Sequence, residues 1–365
     1  MRITLVAGAR PNFMKIAPII KNIVRAAEAG HDISYRLVHT GQHYDKNLSD
    51  TFFRELNIPE PHINLEAGSG TQAEQTAGIM TRFEKELFNN PTDLVVVVGD
   101  VTSTMACSIT AKKLNIKVAH VEAGIRSFDL TMPEEINRMV TDSITDYFFT
   151  TSHFANENLH KAGIPDERIF FVGNVMIDTL LSNRARFKKP ALWDERGLKE
   201  KGYVVITLHR PVNVDQPENL MRLLNAITES TAGLPVVFPV HPRTLKVIKS
   251  THHKVPQSLQ LTEPMGYLEF NYLVERAYAV ITDSGGITEE TTVMGVPCLT
   301  LRDSTERPET CTIGTNELLG TNPDSIRPAM DRLIAGQWKK GGIPELWDGR
   351  AAERIVQAMM KLFGV

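Results

Sequence analysis

The run Leu94-Val95-Val96-Val97-Val98 constrains this chain more than any other feature. Five successive apolar residues leave no side for water, so they read as a strand covered on both faces, the habit of a parallel sheet between helices. Similar short β-branched runs recur at Arg2 to Gly8, Arg36 to His39, Lys117 to Glu122, Tyr147 to Thr150 and Ile169 to Val172, with longer helical patterns between them. After a charged stretch from Arg184 to Lys201 the rhythm restarts. Tyr203 to Leu208, Val236 to Pro239, Leu259 to Leu261, Ala279 to Thr282 and Cys298 to Leu301 read as a second sheet. A chain of 365 residues exceeds what one core holds, roughly 250 residues. The expectation is an α/β protein of two Rossmann-like domains: residues 1–178, joined by a C-terminal helix over 347–365, and residues 179–346. That helix is read from Ile355, Met359 and Leu362, which fall on one helical face.

Composition excludes several classes of function. The formal net charge is -3 and the basic residues are dispersed, so no basic footprint for nucleic acid is present. Anionic ligands must then be met by local groups. The odd set Cys107, Cys298 and Cys311 reads as free thiols in packing positions, which fits a reducing compartment. The apolar run at the N-terminus is too short for a signal sequence, and no stretch of about 18 apolar residues occurs. A cytoplasmic protein with no membrane partner is expected.

In doubly wound sheets ligands bind beyond the carboxyl ends of the strands, so residues just after each strand carry the functional reading. After the first strand, Gly8-Ala9-Arg10-Pro11-Asn12-Phe13-Met14-Lys15 joins a turn to a helix start, where Arg10 and Lys15 could reach a phosphate or simply form a solvated basic turn. The segment is neither a G-x-G-x-x-G nor a P-loop, which weakens nicotinamide and ATP readings. Asp100, after Gly99, reads more simply as a helix cap than as a catalyst. Glu122 is a poor cap, and its choices are catalysis or an ion pair with Arg126. Thr131 to Glu134 has the pattern of a capping box, with Pro133 in the first turn, and Glu134 stands one turn from Arg138. Thr282-Asp283-Ser284-Gly285-Gly286 strips side chains from a helix start, so its amides can grip phosphate; Glu290 lies far enough along to accept from ribose hydroxyls. Phe270 is either core or a stacking platform for a base.

Taken in order, Gly8-Ala9-Arg10-Pro11, Gly41-Gln42-His43, Gly99-Asp100, His120-Val121-Glu122-Ala123-Gly124, Pro133 to Arg138, Pro239-Val240-His241-Pro242, Thr282 to Gly286 and Thr305-Glu306-Arg307-Pro308-Glu309 resemble the non-hydrolysing UDP-N-acetylglucosamine 2-epimerase family. That resemblance implies the GT-B fold, two Rossmann-like domains closing over a nucleotide sugar, and a homodimer. It implies catalytic roles for Asp100, Glu122 and Glu134, with Lys15, Arg138 and His209 near the sugar and diphosphate. Arg10, Phe270, Ser284, Gly285, Gly286, Glu290 and Arg307 fall at substrate-binding positions, and Gln42, His43 and His241 at those of an activating second nucleotide sugar. The sequence departs from the family pattern at Asn12 and Val212, where Glu is common, and around Ser69 and Gly70, where an Arg-Gln pair helps hold the activator.

The implied reaction needs neither cofactor nor metal. The C2 hydrogen of an N-acetylhexosamine is not next to a carbonyl carbon, so the expected route eliminates UDP to a 2-acetamidoglucal and readds it with protonation on the other face. Clustered carboxylates would repel one another and shift toward neutral values, which suits proton transfer. Related UDP sugars, a 6-deoxy form or a 2,3-diacetamido uronate, are alternative substrates. A GT-B glycosyltransferase would use the same UDP contacts without the acid set, and a UDP-sugar sensor would keep Ser284 and Glu290 without needing Glu122 or Glu134.

Overall fold

The computed structural model describes residues 1–41, 53, 55–251 and 255–365, with Arg10 described in its main chain only. The chain divides into two units, Met1–Ser182 with Glu345–Val365, and Asn183–Pro344. In the first, β1 (Arg2–Ala7), β2 (Ser34–His39), β3 (Ile63–Asn64), β4 (Leu94–Val98), β5 (Lys117–Val121), β6 (Tyr147–Thr150) and β7 (Ile169–Phe171) form one sheet in the order β3-β2-β1-β4-β5-β6-β7. Every pairing is parallel. The strand Leu94–Val98 is buried throughout, as its unbroken apolarity requires. Alternate residues divide the core: Val6, Val38, Val95, Val97 and Val118 pack with Ile79, Phe83 and Leu87 of the helix Gln72–Asn89 and with Ala106, Cys107 and Ala111 of the helix Thr102–Lys113.

The second unit repeats the plan. Its strands β8 (Val204–Thr207), β9 (Val236–Pro239), β10 (Leu259–Thr262), β11 (Ala279–Thr282), β12 (Cys298–Thr300) and β13 (Asn316–Leu318) run in the order β10-β9-β8-β11-β12-β13, again all parallel. Val204, Ile206, Phe238, Ile281 and Leu299 face one helical layer, and Tyr203, Val205, Val237, Val280 and Cys298 face the other. Cys107 and Cys298 are free and buried, filling space as apolar residues do.

Both sheets reverse their winding beside their first strand. In the first unit β1 lies between β2 and β4, and in the second β8 lies between β9 and β11. Such a reversal splays successive connections to opposite faces and opens a crevice at the carboxyl ends of the two strands concerned. The crevice of the first unit is thus bordered by Gly8 and Gly99, and that of the second by Leu208 and Asp283.

After the second unit the chain returns to the first. Trp347 is buried there, with its indole Nε1 donating to the Thr151 carbonyl at 2.9 Å. The final helix Ala351–Phe363 starts against Asp178, whose carboxylate accepts the amides of Ala351 at 3.0 Å and Ala352 at 2.7 Å. Those are two of the amides that a helix start leaves without partners. No helix among the described residues is long and apolar enough to cross a membrane.

Candidate active site

The turn after β1 is built by Asn12. Its Oδ1 accepts the amides of Gly8 at 3.1 Å and Ala9 at 2.9 Å, and its Nδ2 donates to the Val98 carbonyl at the end of β4 at 3.0 Å. One buried amide side chain therefore ties the ends of both strands at the crossover. The helix that follows, α1 (Arg10–Glu28), carries Lys15 to the same place. Lys15 Nζ lies 2.5 Å from Glu122 Oε2, and both side chains are largely out of water. A Cβ on Gly99 would come within 3.2 Å of Lys15 Nζ, 3.5 Å of Asn12 Nδ2 and 3.6 Å of Glu122 Oε2. Gly99, at φ +68, leaves room for these three groups to converge.

Beside that pair stands a second one. The helix α2 (Pro133–Ile144) directs Arg138 inward, where NH2 lies 2.5 Å from Asp100 Oδ2 and NH1 lies 2.7 Å from Glu135 Oε2. The next residue toward the start of α2, Asn137, donates from Nδ2 to the Asp100 carbonyl at 2.8 Å. Burial raises Glu135, yet the Ser127 amide and Arg138 hold its carboxyl below the usual range. It thereby anchors the loop that leads into α2.

These contacts revise several readings of the sequence. Asp100 does not cap the helix Thr102–Lys113: Val101 occupies the cap position and no side chain serves there. Glu122 pairs with Lys15 rather than with Arg126, which lies 2.7 Å from Asp142 Oδ2. Arg138 pairs with Glu135 and Asp100 rather than with Glu134, because Glu135, three residues before it, is buried on the inner face of α2 while Glu134 is exposed on its first turn. The expected Thr131–Glu134 capping box does not form. Met132 precedes the helix, and Thr131 Oγ1 instead donates to Asp129 Oδ1 at 2.6 Å. Nor does mutual repulsion describe the acids, since Glu122 and Asp100 each face a cation.

In the second unit, β11 ends in Asp283, which is fully buried and accepts the amides of His209 and Arg210, the Asn213 Nδ2 and the His209 ring. Burial raises this carboxyl, but His209 alongside and Asn213 hold it below the usual range. The His209 ring, with its Nδ1 2.7 Å from Asp283, is oriented while remaining 59% exposed. Ser284 precedes the helix α3 (Gly285–Met294), no side chain caps that start, and nothing lies within 4 Å of a Cβ placed on Gly286. The opening amides of α3 are thus available to an anion. One turn in, Glu290 is buried and accepts the Tyr267 hydroxyl at 2.7 Å. Burial pushes its carboxyl up to about 7 against the Tyr267 hydrogen bond, helped by neighbouring Glu289.

The remaining sequence-predicted residues fall as follows. Phe270 is half-buried, with part of its side chain packed against the core beneath β8 and β11. Arg307 is buried in an ion pair with Glu289, next to Glu290 in sequence. His241 is exposed and starts the helix Pro242–Ser250, its Nδ1 accepting the Arg243 amide at 3.2 Å. Gln42 and His43 lie outside the described residues, as does the side chain of Arg10. Sequence reasoning passed over Tyr267 and Asp142, and met Asn12 only as a departure from the family pattern. Asp142 had a signal, since it follows Arg138 by one helical turn and shares its inward face.

Known proteins resemble this chain along nearly its whole length. A protein of Methanocaldococcus jannaschii named UDP-N-acetylglucosamine 2-epimerase is 39% identical over 377 residues, covering 98% of this chain and 99% of its own. The UDP-2,3-diacetamido-2,3-dideoxy-D-glucuronate 2-epimerase of Pseudomonas aeruginosa is 37% identical over 370 residues, with 99% of this chain and 100% of its own covered. The crystal structure of the M. jannaschii UDP-GlcNAc 2-epimerase in complex with UDP-GlcNAc and UDP superposes with a TM-score of 0.88 at 39% identity, covering 99% of this chain and all of that one. The paired α/β units are those of the GT-B class. With the UDP-N-acetylglucosamine 2-epimerase family pattern matching residues 25–360, and acids and cations gathered where both sheets reverse, the chain belongs to that family of isomerases.

Proposed function

We propose that the protein interconverts UDP-N-acetylglucosamine and UDP-N-acetylmannosamine by inverting C2. The observation that carries this reading is the pair of cation-held carboxylates, Lys15–Glu122 and Arg138–Asp100, at the carboxyl ends of β1, β4 and β5. A sensor has no use for them. In the forward direction one carboxylate takes the C2 proton while the C1–O bond breaks and its electron pair leaves with UDP, giving the 2-acetamidoglucal. Return of UDP to C1, with proton delivery to the other face of C2, gives the epimer. Two faces call for more than one acid/base group, and Glu122, Asp100 and Glu134 are assigned to them.

Ser284, the amides of Gly285 and Gly286, and Arg10 are assigned to the diphosphate, Glu290 to the ribose, Phe270 to the base, and Arg307 to support of that region. Lys15, Arg138 and His209 offset charge as UDP departs. Free thiols fit the cytoplasm as its compartment. A homodimer is proposed from the exposed Phe128, Leu130, Ile136 and Met139, four large apolar residues within one short stretch.

The test is incubation with UDP-N-acetylglucosamine alone in D2O, with EDTA and no added nicotinamide. The product UDP-N-acetylmannosamine should carry deuterium at C2. Retention of the original hydrogen would point to oxidation with internal hydride return and remove the acids from the mechanism. A requirement for an acceptor would indicate glycosyl transfer. Running the 6-deoxy and 2,3-diacetamido uronate UDP sugars beside it identifies the preferred substrate.

A further inference from the structure

Glu122 sits at φ +71. A residue with a side chain holds this left-handed conformation only where its surroundings over-determine it. The surroundings here converge on one carboxylate. Asp142, on α2, places Oδ1 2.7 Å from Nδ1 of His120, two residues before Glu122. Its Oδ2 accepts the amide of Gly124, two residues after Glu122, at 3.0 Å, and lies 2.7 Å from Arg126 NH1. The turn that presents Glu122 is therefore gripped on both sides by the same group.

The opposite edge of the His120 ring reaches the other acid. Its Nε2 lies 2.8 Å from the carbonyl oxygen of Gly99, the residue before Asp100. A carbonyl can only accept, so Nε2 carries a proton. Burial raises Asp142, yet His120 and Arg126 hold it below the usual carboxylate range, and its Oδ1 lies on the ring's other nitrogen, so the imidazole bridges the two turns. His120 is fully buried and Asp142 nearly so. Core packing alone does not call for such a pair, since apolar residues of similar volume fill buried space at least as stably. Its bonds go instead to main-chain atoms of the two turns that bear Asp100 and Glu122. Along the same face of α2, Arg138 and Asn137 hold the Asp100 carboxylate and carbonyl. One helix face thus fixes both acids relative to each other.

We propose that His120 and Asp142 are positioning residues for proton transfer at C2, setting the separation and aim of Glu122 and Asp100; this rests on the epimerase reading above. Acid/base steps are sensitive to placement, and a displacement of about 1 Å can cost up to about a hundredfold in rate.

The experiment uses the full-length protein with Asp142→Asn, His120→Phe and His120→Gln. It measures kcat, KM, entry of solvent deuterium at C2, UDP affinity by calorimetry and the thermal unfolding midpoint. Asp142→Asn and His120→Phe should lower kcat and C2 exchange together by about tenfold to a hundredfold, with UDP affinity changed less than about threefold. His120→Gln, whose amide can still donate to the Gly99 carbonyl, should recover part of the loss. Should Asp142→Asn fail to fold, the contrast between the two His120 variants carries the test. Unchanged kcat in the variants of an active wild type overturns the inference alone. Equal losses in both His120 variants, tracking a lowered unfolding midpoint and lost UDP affinity, also overturn it. A wild type that exchanges no C2 hydrogen with any UDP sugar overturns the reading and this inference together.

Discussion

At the scale of single residues, Glu122 and Asp100 are poised by contact with cations rather than by isolation. On the proposed mechanism each acid has a cation at hand for charge that develops as UDP leaves. Glu122→Gln and Asp100→Asn should each lower turnover by at least about a hundredfold while leaving UDP affinity nearly unchanged. Normal rates in either purified variant would remove that residue from the mechanism. Gly99→Ala should be as damaging without touching an acid, because its Cβ would fall 3.2 Å from Lys15 Nζ at a φ of +68 that alanine resists. Glu290 makes a different prediction. Burial holds it near 7, above its ordinary 4.5, so folding favours its neutral form: that contribution to stability is full below 4.5 and is lost as pH rises through about 7. A ribose hydroxyl would instead favour the carboxylate. UDP binding should then release a proton just below pH 7 and tighten as pH rises through it, and Glu290→Gln should abolish that difference in calorimetry run in buffers of unlike ionisation heat. Equal proton release by wild type and variant would place the ribose elsewhere.

At the scale of elements, helix ends organise the molecule, and the Asp178 clamp on the helix Ala351–Phe363 is the one most open to measurement. Burial pushes its carboxyl up to about 6 from 3.8, opposing the two amides it accepts. Folding thus favours the neutral form, and the contribution present below 3.8 is lost as pH rises through about 6. Asp178→Ala should destabilise the first unit by about 1–3 kcal/mol, with the gap to wild type narrowing between pH 4 and pH 7 in denaturant titrations, a window set by those two values. A gap that widens with pH would mean the clamp works as a charged cap. The strands show what a sequence can disclose. Leu94–Val98 and its counterparts were legible because burial on both faces leaves an unbroken apolar run. The edge strands Ile63–Asn64 and Asn316–Leu318 were not, since two or three residues are too few to show a period. Polar residues at strand ends were legible by type and place, but their pairing was not. Which acid meets Arg138 depends on how α2 is rotated, and Glu134 and Glu135 differ there by a third of a turn that adjacent acids do not reveal. Tyr267 meets Glu290, a partner distant in sequence, which no local motif records.

At the scale of the whole molecule, the two units differ in how their chains are assembled. The second is one continuous segment, Asn183–Pro344, with a core of its own on both faces of its sheet. The first is completed by residues from the far end of the chain. Trp347, Ala351, Ile355, Val356 and Met359 are buried there, and the indole of Trp347 closes a hydrogen bond to Thr151. Removing residues 345–365 would expose the apolar surface these side chains cover and leave Asp178 buried without the amides it accepts. Such losses exceed the stability margin of an ordinary domain, about 5–15 kcal/mol, when several large side chains are involved. A chain truncated after Pro344 should therefore lose the cooperative unfolding of its first unit and all turnover. If the second unit holds the nucleotide as proposed, a fragment of residues 183–344 should still fold and give a calorimetric signal with UDP. Ser284→Ala in the fragment should weaken that signal. A folded fragment that ignores UDP would move the nucleotide site into the first unit. A truncated chain that keeps turnover would show that the final helix is dispensable, against the clamp that Asp178 and Trp347 describe.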